Sequence, residues 1–376
     1  MAKIDAFFNL MFEQKASDVH LSAGNNPMLR INGELQRIDH PPLESDTLKA
    51  MLYEIAPEFK IKQFEETGDV DFGYEIPNIS RFRANFFNTK NGCGAVFRQI
   101  PSKVLSFEDF EKFDAPLPPV LKKLCMLHKG LVIVTGPTGS GKSTTLAAMI
   151  DYANKYRRDH IITMEDPIEF VHESKNCLIN QREVGVHTKS FATGLRGAMR
   201  EDPDVVLIGE MRDLETCKIA VESALTGHLV FSTLHTNDAA STLVRLLEIG
   251  IAPYMIRSAV IGVLAQRLVR KNCPHCRVEE KIDPLLADNL GLKPGEKFLR
   301  GAGCEQCHFT GFAGRMAIYE LMVMNDQIRG RVAEGVASDE FRHLAVESGM
   351  IPLPVNGVEQ ARTGNVSIAE IYRACM

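Results

Sequence analysis

The sequence predicts an α/β chain of two or three domains, and three observations carry that prediction. Its 376 residues exceed a single domain of roughly 150. Beyond about residue 120, short uninterrupted apolar runs alternate with helical segments. The runs are Leu131-Val132-Ile133-Val134, Ile161-Ile162-Thr163-Met164, Val205-Val206-Leu207-Ile208 and Leu229-Val230-Phe231-Ser232. Strands apolar along their whole length belong to a parallel sheet covered on both faces. Before about residue 100, apolar and polar positions instead alternate between turn dipeptides, as in a small α+β domain with an antiparallel sheet.

Taken in order, Ile4, Phe7, Phe8, Leu10 and Met11 recur at helical spacing and predict an opening helix. Residues 27–31 form a short alternating segment between Gly24-Asn25-Asn26 and the hairpin dipeptide Asn32-Gly33. Residues 71–74, 81–87 and 94–100 alternate in the same way, which places the N-terminal domain at 1–100. The prolines of Ala115-Pro116-Leu117-Pro118-Pro119 exclude a continuous helix or central strand, so the connection is expected over 101–120. The parallel-sheet core then occupies 121–270, and a cysteine-bearing helical region 271–376. Residues 251–269 are strongly apolar but interrupted by Arg257, Gln266 and Arg267, and read as a buried or half-buried helix.

Bulk composition narrows the functional classes. With 45% hydrophobic and 24% charged residues, this is the composition of an ordinary globular protein. A net charge of −5 gives no global reason to expect a nucleic-acid partner. Asp5 stands where a secretory signal wants positive charge, and no run of about 18 apolar residues occurs. A cytoplasmic chain without a membrane span is expected. Nine cysteines in such a chain argue for metal or free thiols over a disulfide framework.

The sharpest motif is Gly136-Pro137-Thr138-Gly139-Ser140-Gly141-Lys142-Ser143, followed by Thr144 and a helical segment and preceded by an apolar strand. Its glycines let the backbone wrap closely, with N–H groups aimed at phosphates. Lys142 supplies a point charge for the β- and γ-phosphates, Ser143 a hydroxyl for Mg2+, and the helix its positive end. ATP and Mg2+ are therefore expected.

Carboxylates follow at strand ends. Glu165, in Met164-Glu165-Asp166-Pro167-Ile168-Glu169, stands where ligands of open α/β sheets bind. Hydrolysis needs a carboxylate to orient or deprotonate the attacking water. In Asp202-Pro203-Asp204-Val205-Val206-Leu207-Ile208-Gly209-Glu210, Gly209 occupies the usual position of an aspartate, which shifts its duty to Glu210. We read Glu165 as the base and Glu210 as the partner of metal and water, with the reverse assignment open. His228 and His235 bracket one apolar strand an odd number of residues apart, so their side chains face opposite ways; one can sense the γ-phosphate while the other contacts a neighbouring element.

Two further groups have their own chemistry. Cys273-Pro274-His275-Cys276 and Cys304-Glu305-Gln306-Cys307 supply four thiolates, a closed tetrahedral set for a structural Zn2+. Arg81 and Arg83 alternate with Phe82 on one predicted strand and Arg98 lies on the next, so that their guanidinium groups either line a solvated face or reach nucleotide. Arg196 and Arg200, four apart on one helical face, are expected at the surface or against an adjacent subunit.

These residues resemble those of the type II/IV secretion ATPase family, which drives type II secretion and type IV pili. The resemblance rests on Glu165-Asp166-Pro167-Ile168-Glu169, on Asp204 with Gly209-Glu210-Met211-Arg212-Asp213, and on Gly227-His228 with Leu234-His235-Thr236-Asn237. It extends to Ala16-Ser17-Asp18-Val19-His20-Leu21-Ser22-Ala23-Gly24 and Ser80-Arg81-Phe82-Arg83, and so covers nearly the whole chain. It implies a RecA-like P-loop core behind a smaller PAS-like α+β domain, a homohexamer, and Arg81 and Arg98 at the nucleotide. It also implies a cytoplasmic motor, peripheral to the inner membrane, coupled to a platform protein there. The short N-terminal portion is similar to the pilus retraction ATPase, whereas the cysteine pairs with Gly311-Phe312-Ala313-Gly314-Arg315 resemble the zinc module of extension and secretion ATPases. Retraction is favoured, extension or secretion is the alternative, and a DNA translocase is the competitor from another class.

Overall fold

Alternate burial along residues 80–86 organises the N-terminal part: Ser80, Phe82, Ala84 and Phe86 are buried while Arg81, Arg83 and Asn85 face the other side. The computed structural model describes residues 3–31, 33–76, 80–100, 104–112, 119–333 and 335–375. One unit comprises Met1–Lys103 and Pro167–Phe170, and a larger one comprises Val104–Asp166 and Val171–Met376.

The first unit holds α1 (Asp5–Glu13), β1 (Asp18–Ser22), β2 (Met28–Ile31), β3 (Glu34–Arg37), α2 (Ser45–Tyr53) and α3 (Glu58–Thr67). It continues with β4 (Asp69–Ile76), β5 (Ser80–Thr89) and β6 (Gly92–Ile100). The sheet is antiparallel in the order β3-β2-β1-β6-β5-β4. Helix α1 closes it: Phe8 stacks on Phe82 at 4.5 Å and meets Phe97 edge-on at 4.8 Å. Of the Asn32-Gly33 turn, Asn32 lies outside the described residues; the flanking strands β2 and β3 pair as a hairpin. Much of the expected connection, at 101–103 and 113–118, also lies outside them, and Phe107–Lys112 is helical (α4).

The second unit begins with α4 and α5 (Pro119–Cys125) and continues through β7 (Gly130–Thr135), α6 (Lys142–Tyr156), β8 (His160–Glu165) and β9 (Leu178–Glu183). There follow α7 (Phe191–Ala198), β10 (Val205–Ile208), α8 (Leu214–Leu225), β11 (Leu229–Leu234), α9 (Ala239–Ile249), α10 (Pro253–Ala259) and β12 (Val260–Asn272). The last part holds β13 (Arg277–Glu279), α11 (Pro284–Asn289), β14 (Leu299–Gly301) and β15 (Phe312–Val323). It ends in α12 (Asp326–Arg331), α13 (Ser338–Glu347), α14 (Leu353–Arg362) and α15 (Ile368–Cys375).

The main sheet has the order β15-β12-β7-β11-β10-β8-β9. Every pairing is parallel except that of β15 with β12. The α/β class expected from the apolar runs is the one observed. Each run feeds two cores: Leu131 and Ile133 of β7 point to one face, Val132 and Val134 to the other. Helix α6 covers the second face with Leu146, Met149 and Ile150, and α8 and α9 the first with Val221, Leu243 and Leu246. Each such side chain contributes about 1.5–3 kcal/mol on burial. Helix α8 starts where Asp213 accepts the Thr216 N–H, as its sequence position suggested.

One expectation is corrected here. Residues 251–269 are not one helix: α10 ends at Ala259 and the chain continues as the long strand β12. Val260, Val263, Leu264 and Ala265 are all fully buried, and an apolar run enclosed on both faces has the same pattern in a strand as in a core helix. The expected border at 270–271 falls inside this strand, and Ile318, Phe341, Val358 and Ile371 from the C-terminal region join the same core as β7.

Candidate active site and cysteine cluster

The loop between β7 and α6 is shaped by three glycines in backbone conformations that other residues rarely adopt. Gly136, Gly139 and Gly141 all have positive φ, at 143°, 78° and 89°. A Cβ on Gly136 would lie 2.4 Å from the Gln266 carbonyl oxygen and 2.6 Å from Ser140 Oγ. Pro137, Thr138 and Gly139 are exposed at the rim, while Ser143 and Thr144 sit half-buried in the first turn of α6. Lys142 is largely buried and its Nζ donates to the carbonyls of Gly136 (2.8 Å) and Pro137 (3.1 Å), which holds its charge over the loop.

Neighbouring strand ends bring the other groups to the same edge of the sheet. Glu165 terminates β8, and its Oε1 accepts from Thr163 Oγ1 (2.7 Å) and Gln181 Nε2 (3.1 Å). Gly209, just past β10, donates its N–H to the Met164 carbonyl at 2.7 Å, and a Cβ there would meet that oxygen at 3.3 Å. A longer side chain at 209 would press against β8, which accounts for the carboxylate standing one residue later. Glu210 Oε2 lies 2.8 Å from Arg212 Nε and 3.5 Å from His235 Nε2.

His235 follows β11, whose Leu234 pairs with Thr135 at the foot of the phosphate loop. Thr135 Oγ1 fixes this junction by accepting the Thr236 N–H at 2.9 Å. Burial, and then the charge of Lys142, lower the pKa of His235 below the usual imidazole value, while Glu210 pulls it upward. The imidazole is therefore neutral at pH 7, and the lysine's effect on it ties the two motifs electrostatically.

One expected member is placed elsewhere on this sheet, and two belong to the other unit. His228 stands at the opposite end of β11, about 20 Å of strand away, which removes it from this constellation. Its Nδ1–H donates to the Ser223 carbonyl at 2.9 Å, and it lines a groove of about 430 Å³ with Arg196, Arg200 and Glu222. Arg81 and Arg98 belong to the first unit. There Arg98 Nε pairs with the buried Asp18 at 2.7 Å and Arg81 with Glu75 at 3.6 Å. Arg98 lies opposite Arg83 in register, so these guanidinium groups share one sheet face.

The four cysteines meet. Their Sγ atoms all lie within 4.8 Å of one another. The separations are 3.9 Å for Cys273–Cys304, 3.9 Å for Cys276–Cys307 and 3.8 Å for Cys304–Cys307. A tetrahedron with Zn–S bonds of about 2.3 Å has edges of about 3.8 Å, so the set fits Zn2+. Backbone N–H groups of Gly303, Cys304 and Gly311 aim at Cys276 and Cys307 sulfurs at 3.2–3.3 Å, an arrangement that favours thiolate. Gly301 is required because a Cβ there would lie 1.8 Å from the Gly311 carbonyl oxygen.

Sequence reasoning missed the supporting residues Thr135, Thr163, Gln181 and Gln266. Only Gln266 left a signal, as a polar residue inside a long apolar run.

The model of the type II/IV secretion system protein family matches residues 1–373. The type IV pilus retraction ATPase PilT of Pseudomonas aeruginosa is 51% identical over 265 residues, covering 69% of this chain and 76% of that protein. The type IV pilus assembly ATPase PilB of Thermus thermophilus is 37% identical over 380 residues, covering 96% of this chain and 41% of the relative. The crystal structure of the pilus retraction motor PilT with bound ADP superposes with a TM-score of 0.78 at 35% identity, covering 99% of this chain and 97% of that one. With a family model spanning almost its whole length, this chain belongs to the type II/IV secretion system proteins, the family of the secretion and pilus ATPases.

Proposed function

We propose that the chain hydrolyses ATP to ADP and phosphate with Mg2+, as the homohexameric motor that retracts a type IV pilus. The observation that carries the chemistry is the meeting of the glycine loop with Glu165, Glu210 and His235 at one edge of the parallel sheet. Lys142 and the loop N–H groups would bind the β- and γ-phosphates, and Ser143 would hold Mg2+, which would supply positive charge to offset that developing on the phosphate oxygens. Glu165, kept oriented by Thr163 and Gln181, takes the proton of the attacking water. Glu210 supports metal and water and stays in contact with the neutral His235, which reports the γ-phosphate.

Retraction is supported by the 51% identity to a retraction ATPase. The fit of the cysteine cluster to Zn2+, together with the likeness to PilB across 96% of the chain, supports extension as the second reading. In either case the motor pushes on an inner-membrane platform protein from the cytoplasmic side. Among the described residues no helix is long and apolar enough to cross a membrane. Turnover should not respond to DNA, in keeping with the net charge of −5.

Lys142→Ala tests the chemistry: turnover should fall to background while the far-ultraviolet circular dichroism is unchanged, and undiminished hydrolysis overturns the assignment. Gene deletion tests the direction. Hyperpiliated cells mean retraction, bald cells mean extension.

A further inference from the structure

Strand β12 runs parallel to β7 with Ala265 opposite Thr135, the last residue before the phosphate loop. The next residue, Gln266, therefore flanks the loop itself. Its side chain is 3% exposed, and both ends of the amide are used. Nε2 donates to the Ser140 carbonyl at 2.8 Å, and Oε1 accepts from Thr145 Oγ1, itself buried in α6, at 2.7 Å. The residue also sets the clearance at two loop glycines. Its main-chain oxygen lies 2.4 Å from a Cβ placed on Gly136, and its Nε2 lies 2.8 Å from one on Gly141. The pleat sends the following side chain the other way, where Arg267 donates to the Asn237 carbonyl at 2.8 Å, in the loop after His235.

We infer that Gln266 is a positioning residue for the nucleotide site, clamping the phosphate-loop backbone between its first glycine and the start of α6. The inference rests on reading that loop as a phosphate cradle. An amide is the one neutral side chain of this length that donates at one end and accepts at the other. Without it the Ser140 carbonyl and Thr145 hydroxyl lose their partner. The loop then has to be ordered when nucleotide arrives, and affinity falls by that ordering. Gln266 touches no phosphate in this role, so its loss should raise KM more than it lowers kcat.

The test measures binding of Mg2+ with a fluorescent ADP analogue to the full chain carrying Gln266→Leu, Gln266→Glu or Lys142→Ala. Gln266→Leu, close in volume, should weaken binding about tenfold, the scale of one lost buried hydrogen bond. Gln266→Glu sets a carboxylate oxygen against the Ser140 carbonyl when ionised, but its protonated form donates there as the amide does. Its affinity relative to the parent should therefore recover as pH falls from about 9 to about 6, the range in which a buried carboxyl titrates. A merely structural glutamine gives no such recovery. The inference is overturned if Gln266→Leu binds within about twofold of the parent, or if Gln266→Glu is equally weakened at both ends of the range. Lys142→Ala separates the two claims. If it too binds normally, the nucleotide reading fails; if it alone loses binding, only the role of Gln266 fails.

Discussion

Glu165 and Glu210 differ in what surrounds them, and the difference bears on which activates water. Glu165 has one oxygen held by two donors, Thr163 and Gln181, both neutral, which fixes its orientation. Glu210 shares its Oε2 between Arg212 and His235 and so reads as a member of a charge network. If Glu165 is the base, Glu165→Gln should lower kcat about 10²–10⁴-fold with little change in ADP affinity. Glu210→Gln should lower kcat and also weaken the dependence on Mg2+ concentration. Single-turnover hydrolysis with a Mg2+ titration reads both, and the reversed pattern exchanges the roles. These residues were legible in the sequence because motif chemistry sits in consecutive positions. Gln266 was not, because its partners Ser140 and Thr145 lie more than a hundred residues upstream, and an amide within an apolar run marks equally a surface or a buried clamp.

At the scale of elements, the short apolar runs identified β7, β8, β10 and β11 because a fully covered parallel strand is apolar at every position. The same property hid β12, whose buried stretch carries no period to separate strand from helix. The cysteine pairs were readable from spacing alone, but the glycines that let the two segments touch were not. Gly301 and Gly311 approach so closely that a single methyl on Gly301 would overlap backbone. Purified protein should hold about one Zn2+ per chain by metal analysis. Cys304→Ser should release it and lower the melting temperature without altering any residue of the phosphate loop. Protein that lacks zinc yet melts as sharply as the parent would remove the metal from the account. Because the C-terminal segments share their core with β7, chelation is expected to destabilise the ATPase unit as well as the cysteine module.

At the scale of the whole molecule, the arginines of the first unit pose the remaining mechanical question. Arg98 is held by Asp18, a buried carboxylate that Arg30 also approaches at 3.9 Å. That anchoring positions a guanidinium on a rigid sheet face, and removal of Arg98 leaves Asp18 with a second cation, so Arg98→Ala should fold. In a ring of identical chains, a residue presented by one subunit can complete the site of the next. If Arg98 serves a neighbour's nucleotide, Arg98→Ala and Lys142→Ala chains will each be inactive alone, for different reasons. Co-expressed in equal amounts, they would form mixed rings in which about one interface in four joins an intact phosphate loop to an intact arginine. Turnover should then return to a measurable fraction of the parent, read by steady-state phosphate release from purified mixed oligomers. An arginine acting within its own chain permits no such rescue, because each chain still lacks one of its two groups. Mixed rings as inactive as either variant alone would therefore confine the site to one subunit.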